Sequence, residues 1–466
     1  MTGPASVRRA ARAGAVRVRG GVIPRPETLR CAGERVGAGT ARPAGCRRQP
    51  AAADTSAIGS DMRLRAKVLA SGTAAVLATT LGACSGDEGQ PVGTVRVASS
   101  LGPGEGALNL VTLPGYIENG GSDPRVDWVT PFQERTGCKV GLKVVGTVQE
   151  MTEVMQKKSR RYDGVAAPPE VAGQLIESKD VAPVNPGLID GYRKLEPRLR
   201  NLLKRGKTVY GVPYVWGTNL LMYDTRSVQP APTSWAALFD PDQARRYSGR
   251  LVMRDSPLTI AEAALYLRSK RRKLGIKDPY SLTRRQLDAA ARVLAEQRPH
   301  VKMYWGLPAD PVSAFAGGEA AVGQVWPYQV DVLSRAGKPV QGVAPSEGVT
   351  GWMNAWMIGA RAEHPNCMYQ WLQWTISPDV QQQIAEWSGV APANPQACGG
   401  DRLRAAFCNA YHVGDRDYLD KVIFAHTPSR QCGTGDGAAK GRRDCTDYAE
   451  WTKAWYEATK GGKRMP

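Results

Sequence analysis

YDGVAAPPEVAGQLIESKDVAPVN, residues 162–185, is the stretch whose reading decides the fold. YDGVAAP (162–168) is short, apolar and closed by prolines, the pattern of a buried strand. PEVAGQLIES follows at once with helical spacing. A strand running straight into a helix is half of a βαβ unit, and the same alternation extends in both directions. Upstream, TVRVAS (94–99) alternates like a first strand, DWVTPFQERTG (127–137) is helical and ends in Gly, and CKVGLKVVG (138–146) alternates again. VQEMTEVMQKKSRR then reads as a helix. Downstream, RLVMRDS (250–256), VKMYWG and AAVGQVWP read as strands. TIAEAALYLRSKRRKLG, TRRQLDAAARVLAEQRP and YQVDVLSRAG read as helices, followed by helices at 366–376, 378–387 and 446–459. This order predicts an α/β architecture of parallel type. The 466 residues are too many for one ordinary core. No repeat and no long linker separates the halves, so two lobes joined by short crossovers are expected.

The formal charge of +19 would suggest nucleic acid, but it is concentrated at the start. Residues 1–83 carry a net +10, and everything after them only +9. Short runs such as RSKRRK (268–273) read as solvated helix faces, so no nucleic-acid partner is expected. Residues 1–61 are rich in Ala, Gly, Arg and Pro and cannot bury enough apolar surface to order themselves. They are expected to be a mis-called or disordered extension, with translation starting at Met62. Residues 62–83 then have a basic start (Arg63, Arg65, Lys67), a weakly apolar run from Val68 to Thr80 and a small-residue end, the grammar of a secretory signal. The run is too short to span a bilayer stably. Leu81-Gly82-Ala83-Cys84 resembles a bacterial lipobox, in which the cysteine is lipidated and becomes the mature N-terminus. Residues 84–93 form a small, polar tether. The expectation is an exported chain held on the outer face of the cytoplasmic membrane by the lipid on Cys84.

Six of the nine cysteines follow that anchor: Cys138, Cys367, Cys398, Cys408, Cys432 and Cys445. An even number in an exported chain suggests three disulfides. Short closed loops suggest Cys398–Cys408 and Cys432–Cys445, which leaves Cys138 with Cys367. There is no CxxC, and the four histidines stand singly, so no zinc site is expected. No GxSxG, HExxH, Walker loop or dinucleotide fingerprint occurs, and GPGEG (102–106) lacks the context of a nucleotide loop. Neither an enzyme nor a cofactor is expected.

Tryptophan is the conspicuous residue, at twelve against five phenylalanines. Trp371, Trp374, Trp387, Trp451 and Trp455 sit at helical spacings and read as core or helix-face residues. Trp216, Trp305, Trp326, Trp352 and Trp356 sit in short strands near Gly or Pro, where strand ends meet loops and open α/β sheets bind ligands. In GWMNAWMIG (351–359), strand alternation gives Trp352, Asn354 and Trp356 one face and Met353, Ala355 and Met357 the other, which reads as core. Indole faces attract cations.

VYGVPYVWGTNLLMYDT, AVGQVWP and EGVTGWMNAWMIG, together with the opening stretch, resemble the extracellular solute-binding proteins of ABC importers, and among them the spermidine/putrescine-binding branch. HPNCMYQWLQWTISPDVQQQIAEWSGVAPANP resembles that branch's late helices and following turn. The likeness runs over nearly all of residues 94–460. It implies a two-lobed periplasmic-binding-protein fold of type II, the Venus-flytrap, with a cleft between lobes that closes by hinge bending. It implies lobe 1 at 94–225 and 351–400 and lobe 2 at 226–350 and 401–466. It also implies a monomer that captures a polyamine-like solute and hands it to ABC permease subunits.

By the same resemblance Trp326 and Trp352 are stacking walls and Tyr116 a ligand contact, while Leu113 stands where the pattern has Trp. Asp255 lies near the family's acidic pair, with Glu262 as a candidate partner, and Trp216 is expected in the cleft lining. Glu170 stands where the pattern has Tyr, and Asn354 where it has an Asp that meets an amine. An amide binds an ammonium less strongly than a carboxylate does. A ligand with fewer cationic ends, or with an added acceptor, therefore fits as well as spermidine. The alternatives are a receptor for another small organic solute, such as an amino-acid derivative or another organic cation, an exported enzyme on the same scaffold, and a surface scaffold with no ligand.

Overall fold

The computed structural model describes residues 97–401, 403–432 and 444–461. The expected extension, signal segment, lipidated Cys84 and tether all lie outside them. Residues 97–99 belong to no strand, and the rest of the expected first strand, 94–96, lies outside the described residues. Among the described residues the first strand is Ala107–Thr112 (β1), whose alternation is blurred because its last three residues are all buried.

Five strands carry the first half: β1, Lys139–Val144 (β2), Gly164–Ala167 (β3), part of Val212–Asp224 (β4) and, much later, Thr350–Gly359. Their order is β2-β1-β3, then 350–359, then β4. β1 runs parallel to both β2 and β3, while the 350–359 strand is antiparallel to β3 and to β4. The helices between them are Val129–Thr136 (α1) and Val148–Gln156 (α2), with Pro169–Glu177 (α3) after β3. The second half repeats the plan with Leu251–Arg254 (β5), Val301–Trp305 (β6), Val322–Val325 (β7) and Val340–Val343 (β8). β5 is parallel to β6 and β7, and both β7 and β8 are antiparallel to β4. Its helices include Ile260–Lys270 (α4), Arg284–Gln297 (α5) and Pro327–Arg335 (α6). The 350–359 strand is β9. Pro365–Thr375 (α7) and Pro378–Ser388 (α8) follow it, and Tyr448–Lys460 (α9) comes last.

β4 belongs to both halves. Residues 212–219 pair with β9, and residues 220–224 pair with β7 and β8. Twelve of its thirteen residues are buried, so it shows no polar alternation, as expected for a strand covered on both faces. The return crossing is the short link from β8 to β9. Two lobes joined by two crossovers follow, a two-lobed α/β periplasmic-binding-protein fold. The first core gathers Trp128, Trp216, Trp356, Trp371 and Ile384, and also takes in Leu403, Phe407, Leu419 and Phe424 from the late segment. The second gathers Trp235, Leu251, Leu265, Leu294, Trp451 and Trp455.

The structure joins Cys138 to Cys367, Cys398 to Cys408 and Cys432 to Cys445. Among the described residues one group of potential metal ligands clusters, Cys432, Asp444 and Cys445, and two of its three are disulfide sulfurs.

Candidate functional site

A cleft of about 1190 Å³ lies between the two cores. Its lining comes from the carboxyl ends of the parallel strands, where α/β sheets bind ligands. Leu113 and Tyr116 follow β1, Thr147 follows β2, and Pro168 to Glu170 follow β3. Across from them, Arg254 and Asp255 end β5, Leu307 follows β6 and Trp326 follows β7. Trp352 and Asn354 of β9, Trp387 of α8, and Tyr448 and Trp455 of α9 complete it.

Of the residues expected from the sequence, Tyr116, Glu170, Asp255, Trp326, Trp352 and Asn354 all line this cleft. Trp216 does not. It is 1 % exposed, donates Nε1–H to Pro392 O at 3.0 Å and packs edge-on against Phe424. The reason is strand parity. Gly217 next to it is the residue opposite Trp352, and a Cβ there would come within 2.6 Å of the Trp352 ring. The side of β4 that meets the cleft is therefore filled by Trp352's own ring, and Trp216 points the other way. Trp356 shares a strand face with Trp352 and Asn354 but lies deeper. It is fully buried, edge-on to Tyr214 at 5.6 Å and to Trp371 at 5.7 Å. A register shift opposite Asn354 and Ala355 inserts Tyr214 as the extra residue of β4, and Tyr214 roofs Trp356.

Trp352 and Trp326 meet with ring centroids 4.9 Å apart at 51°, a corner rather than a sandwich. Trp305 backs Trp326 edge-on at 5.0 Å. The Trp326 N–H is fixed by the Gln329 side chain at 2.8 Å, and its ring N–H donates to Asn219 Oδ1 at 3.1 Å. Asn354 Nδ2 donates to Tyr116 Oη. Burial pushes Tyr116 up to about 12, so the phenol is a neutral group at ordinary pH.

Glu170 stands in the first turn of α3 and is 3 % exposed. It accepts from Ser256 Oγ at 3.1 Å and lies 3.6 Å from Arg254 Nη2, so it joins the two lobes across the cleft floor. Asp255 is placed differently from expectation. Both its oxygens are engaged within its own lobe, by Trp455 Nε1 at 2.9 Å and by Lys460 Nζ at 2.9 Å. Glu262 is not its partner and does not reach the cleft. It is fully buried on α4, where Asn219 Nδ2 and Thr350 Oγ1 both donate to Oε1 while Oε2 has no partner. Sequence reasoning missed Arg254, although a lone basic residue ending a strand beside Asp255 was a visible signal. Trp455 is core as expected and Trp387 an exposed helix-face residue as expected, and both also line the cleft, which their helical spacing did not indicate.

Glu262 gives a stability prediction. Burial pushes its carboxyl up to about 7, above the ordinary glutamate value, partly offset by the Thr350 and Asn219 hydrogen bonds and by Arg254. The folded state therefore holds a proton that the unfolded chain has already lost. Its contribution is complete below the unfolded value near 4.5 and disappears as pH rises through about 7. Wild type should lose on the order of 1–3 kcal/mol between pH 5 and 7.5 on this account. Glu262→Gln should flatten that part of the curve in urea unfolding across the range, and an unchanged slope would refute the assignment.

The chain matches the bacterial extracellular solute-binding protein family over residues 127–401. It is 26% identical over 279 residues to the spermidine/putrescine-binding periplasmic protein of Escherichia coli (strain K12), covering 58% of this chain and 75% of that one. Among solved structures, the spermidine/putrescine ABC transporter substrate-binding protein PotD of Streptococcus pneumoniae superposes with TM-score 0.56 at 18% identity, over 76% of this chain and 99% of that one. The PotD lipoprotein of Treponema pallidum gives 0.56 at 14% identity, over 76% and 99%. Among the described residues no helix is long and apolar enough to cross a membrane. With the family matched over more than half its length and a two-lobed fold around a solute-sized cleft, this chain belongs to the bacterial extracellular solute-binding proteins, a binding family rather than an enzymatic one.

Proposed function

We propose that this protein captures a small organic amine of polyamine-like size for an ABC importer, acting as a monomer tethered outside the cytoplasmic membrane through lipid on Cys84. The observation that carries the ligand class is the charge of the cleft. Four carboxylates (Glu150, Glu153, Glu170 and Asp255) line it beside the rings of Tyr116, Trp326 and Trp352; Lys143 pairs with Glu150 and Lys460 with Asp255, which leaves Glu153 and Glu170 facing one guanidinium, Arg254. Acidic side chains and indole faces both favour a cation. The curated relatives named for spermidine or putrescine support the same reading. In this reading the first lobe comprises the core around Trp356 with residues 401–424, and the second comprises the core around Trp235 with α9.

Calorimetric titration with putrescine, spermidine and an uncharged diol of the same length tests it. Binding of an amine but not of the diol is expected, and equal affinity for all three would end the amine reading. The anchor is tested separately. Cys84→Ala should move the protein from the membrane fraction into the medium, whereas unchanged fractionation would remove the lipid from the account.

A further inference from the structure

One end of the cleft already contains its cation. The Arg254 guanidinium carbon lies 5.1 Å from the centroid of the Trp326 ring, and Nη2 lies 3.6 Å from Glu170 Oε1. That ring face and that buried carboxylate are the two groups an incoming ammonium would take. Among the described residues the Arg254 side chain makes no hydrogen bond, since its approach to Glu170 is longer than one and Glu170 Oε1 accepts from Ser256. A guanidinium carries five N–H donors in a planar fork that fits a carboxylate in bidentate fashion. The fork is backed by an indole whose own N–H is fixed on Asn219 at 3.1 Å. Asp255 offers no alternative anion, because Trp455 and Lys460 hold both its oxygens.

We infer that Arg254 is an anion subsite inside the cleft, and that the solute is a small amine that also carries a carboxylate. The inference rests on the amine reading above and narrows it. A bare diamine placed at Glu170 would put like charges side by side and would have to displace Arg254 from both its contacts. A carboxylate completes the fork and leaves the Glu170 pairing intact. The ammonium end is then served by Glu153 of α2, on the same cleft, whose neighbour Glu150 is already paired with Lys143 at 3.1 Å.

The test is titration calorimetry of the full-length protein with putrescine, 4-aminobutanoate and ornithine. The second replaces one terminal aminomethyl group of putrescine by a carboxylate, and the third adds a carboxylate to it. Wild type should bind at least one carboxylate-bearing probe about tenfold or more tighter than putrescine, the scale of one charge-assisted bidentate contact. Arg254→Gln should erase that ratio and leave putrescine bound equally or more tightly, because Glu170 and Trp326 are freed for an ammonium. Arg254→Lys keeps the charge without the fork and should lower the ratio about threefold or more. If Arg254→Gln loses its folded circular-dichroism spectrum, the Arg254→Lys ratio decides, and an unchanged ratio overturns the inference. Putrescine bound more tightly than both probes by wild type also overturns it while leaving the amine reading intact. So does a carboxylate preference that survives Arg254→Gln. A wild type that binds none of the three overturns the inference, and also the amine reading if spermidine fails to bind.

Discussion

Replacing Cys138 and Cys367 together by alanine should lower the free energy of unfolding by about 3–5 kcal/mol, more than the loss of either other disulfide. The physical reason is the size of the loop each bond closes. Cys138 and Cys367 are 229 residues apart, whereas Cys398–Cys408 and Cys432–Cys445 span only 10 and 13. A cross-link removes more freedom from the unfolded chain as the loop grows, but only logarithmically, so about 2–3 kcal/mol is expected for each short loop. The long bond also joins the chain entering β2 to the start of α7 through two cysteines that are themselves fully buried in the first core, so its removal leaves a small void as well. Neither cysteine lines the cleft. Solute affinity under native conditions should therefore be unchanged while the denaturation midpoint falls. Equilibrium denaturation of the three double-alanine variants without reductant reads this ranking directly. Three equal losses would show that loop entropy is not what the long bond contributes, and free thiols in the exported wild type would remove the premise.

How much of this molecule was legible in its sequence depends on what kind of physics marked each residue. Helices announced themselves through 3.6-residue spacing and caps, so α1, α7, α8 and α9 fall within a residue or two of their expected limits. Short parallel strands were marked by apolar runs ending in Pro or Gly, and β3, β5, β6 and β7 are where the spacing put them. β1 was not seen because TVRVAS, just before it, alternates better than ALNLVT does. A strand is chosen by its neighbours in the sheet, and β1 earns its place through pairing with both β2 and β3.

The cleft was legible to the extent that strand ends can be located. Tyr116, Glu170 and Trp326 follow strands and Trp352 stands near the start of one, and the fold brings them together. What sequence cannot encode locally is the partner of a charge. Asp255 looks like a free carboxylate until α9 delivers Trp455 and Lys460 from some two hundred residues away. Arg254 looked like the polar end of a strand until Glu170 of the other lobe and Trp326 of its own met it. Trp387's helical spacing marks a core or helix-face residue, and it is exposed on α8, but nothing local shows that it lines the cleft with its N–H on Glu118 at 3.1 Å.

Trp216 and Trp352 are the sharpest case, because sequence gave both the same role and the structure separates them. Trp216→Ala should cost about 3–5 kcal/mol of stability, the usual result of deleting a fully buried indole. It would empty a site packed against Phe424 and leave the Pro392 carbonyl without its 3.0 Å donor. Binding should barely change, since no part of Trp216 lines the cleft. Trp352→Ala removes a wall instead. The ring is 5 % exposed, one face against Trp326 and its edge over Gly217, and it lines the cleft. For a cationic or partly cationic solute the loss of that wall should cost about 1–2 kcal/mol of binding, roughly a tenfold rise in Kd. Some stability will go with it, less than for Trp216, because a ring bordering a cleft leaves its vacancy open to water rather than sealed in a core. Denaturation and calorimetry on the same two variants give a crossed pattern if this is right. If Trp216→Ala weakens binding as much as Trp352→Ala does, the cleft extends through β4 and its boundary has been drawn on the wrong side of Gly217.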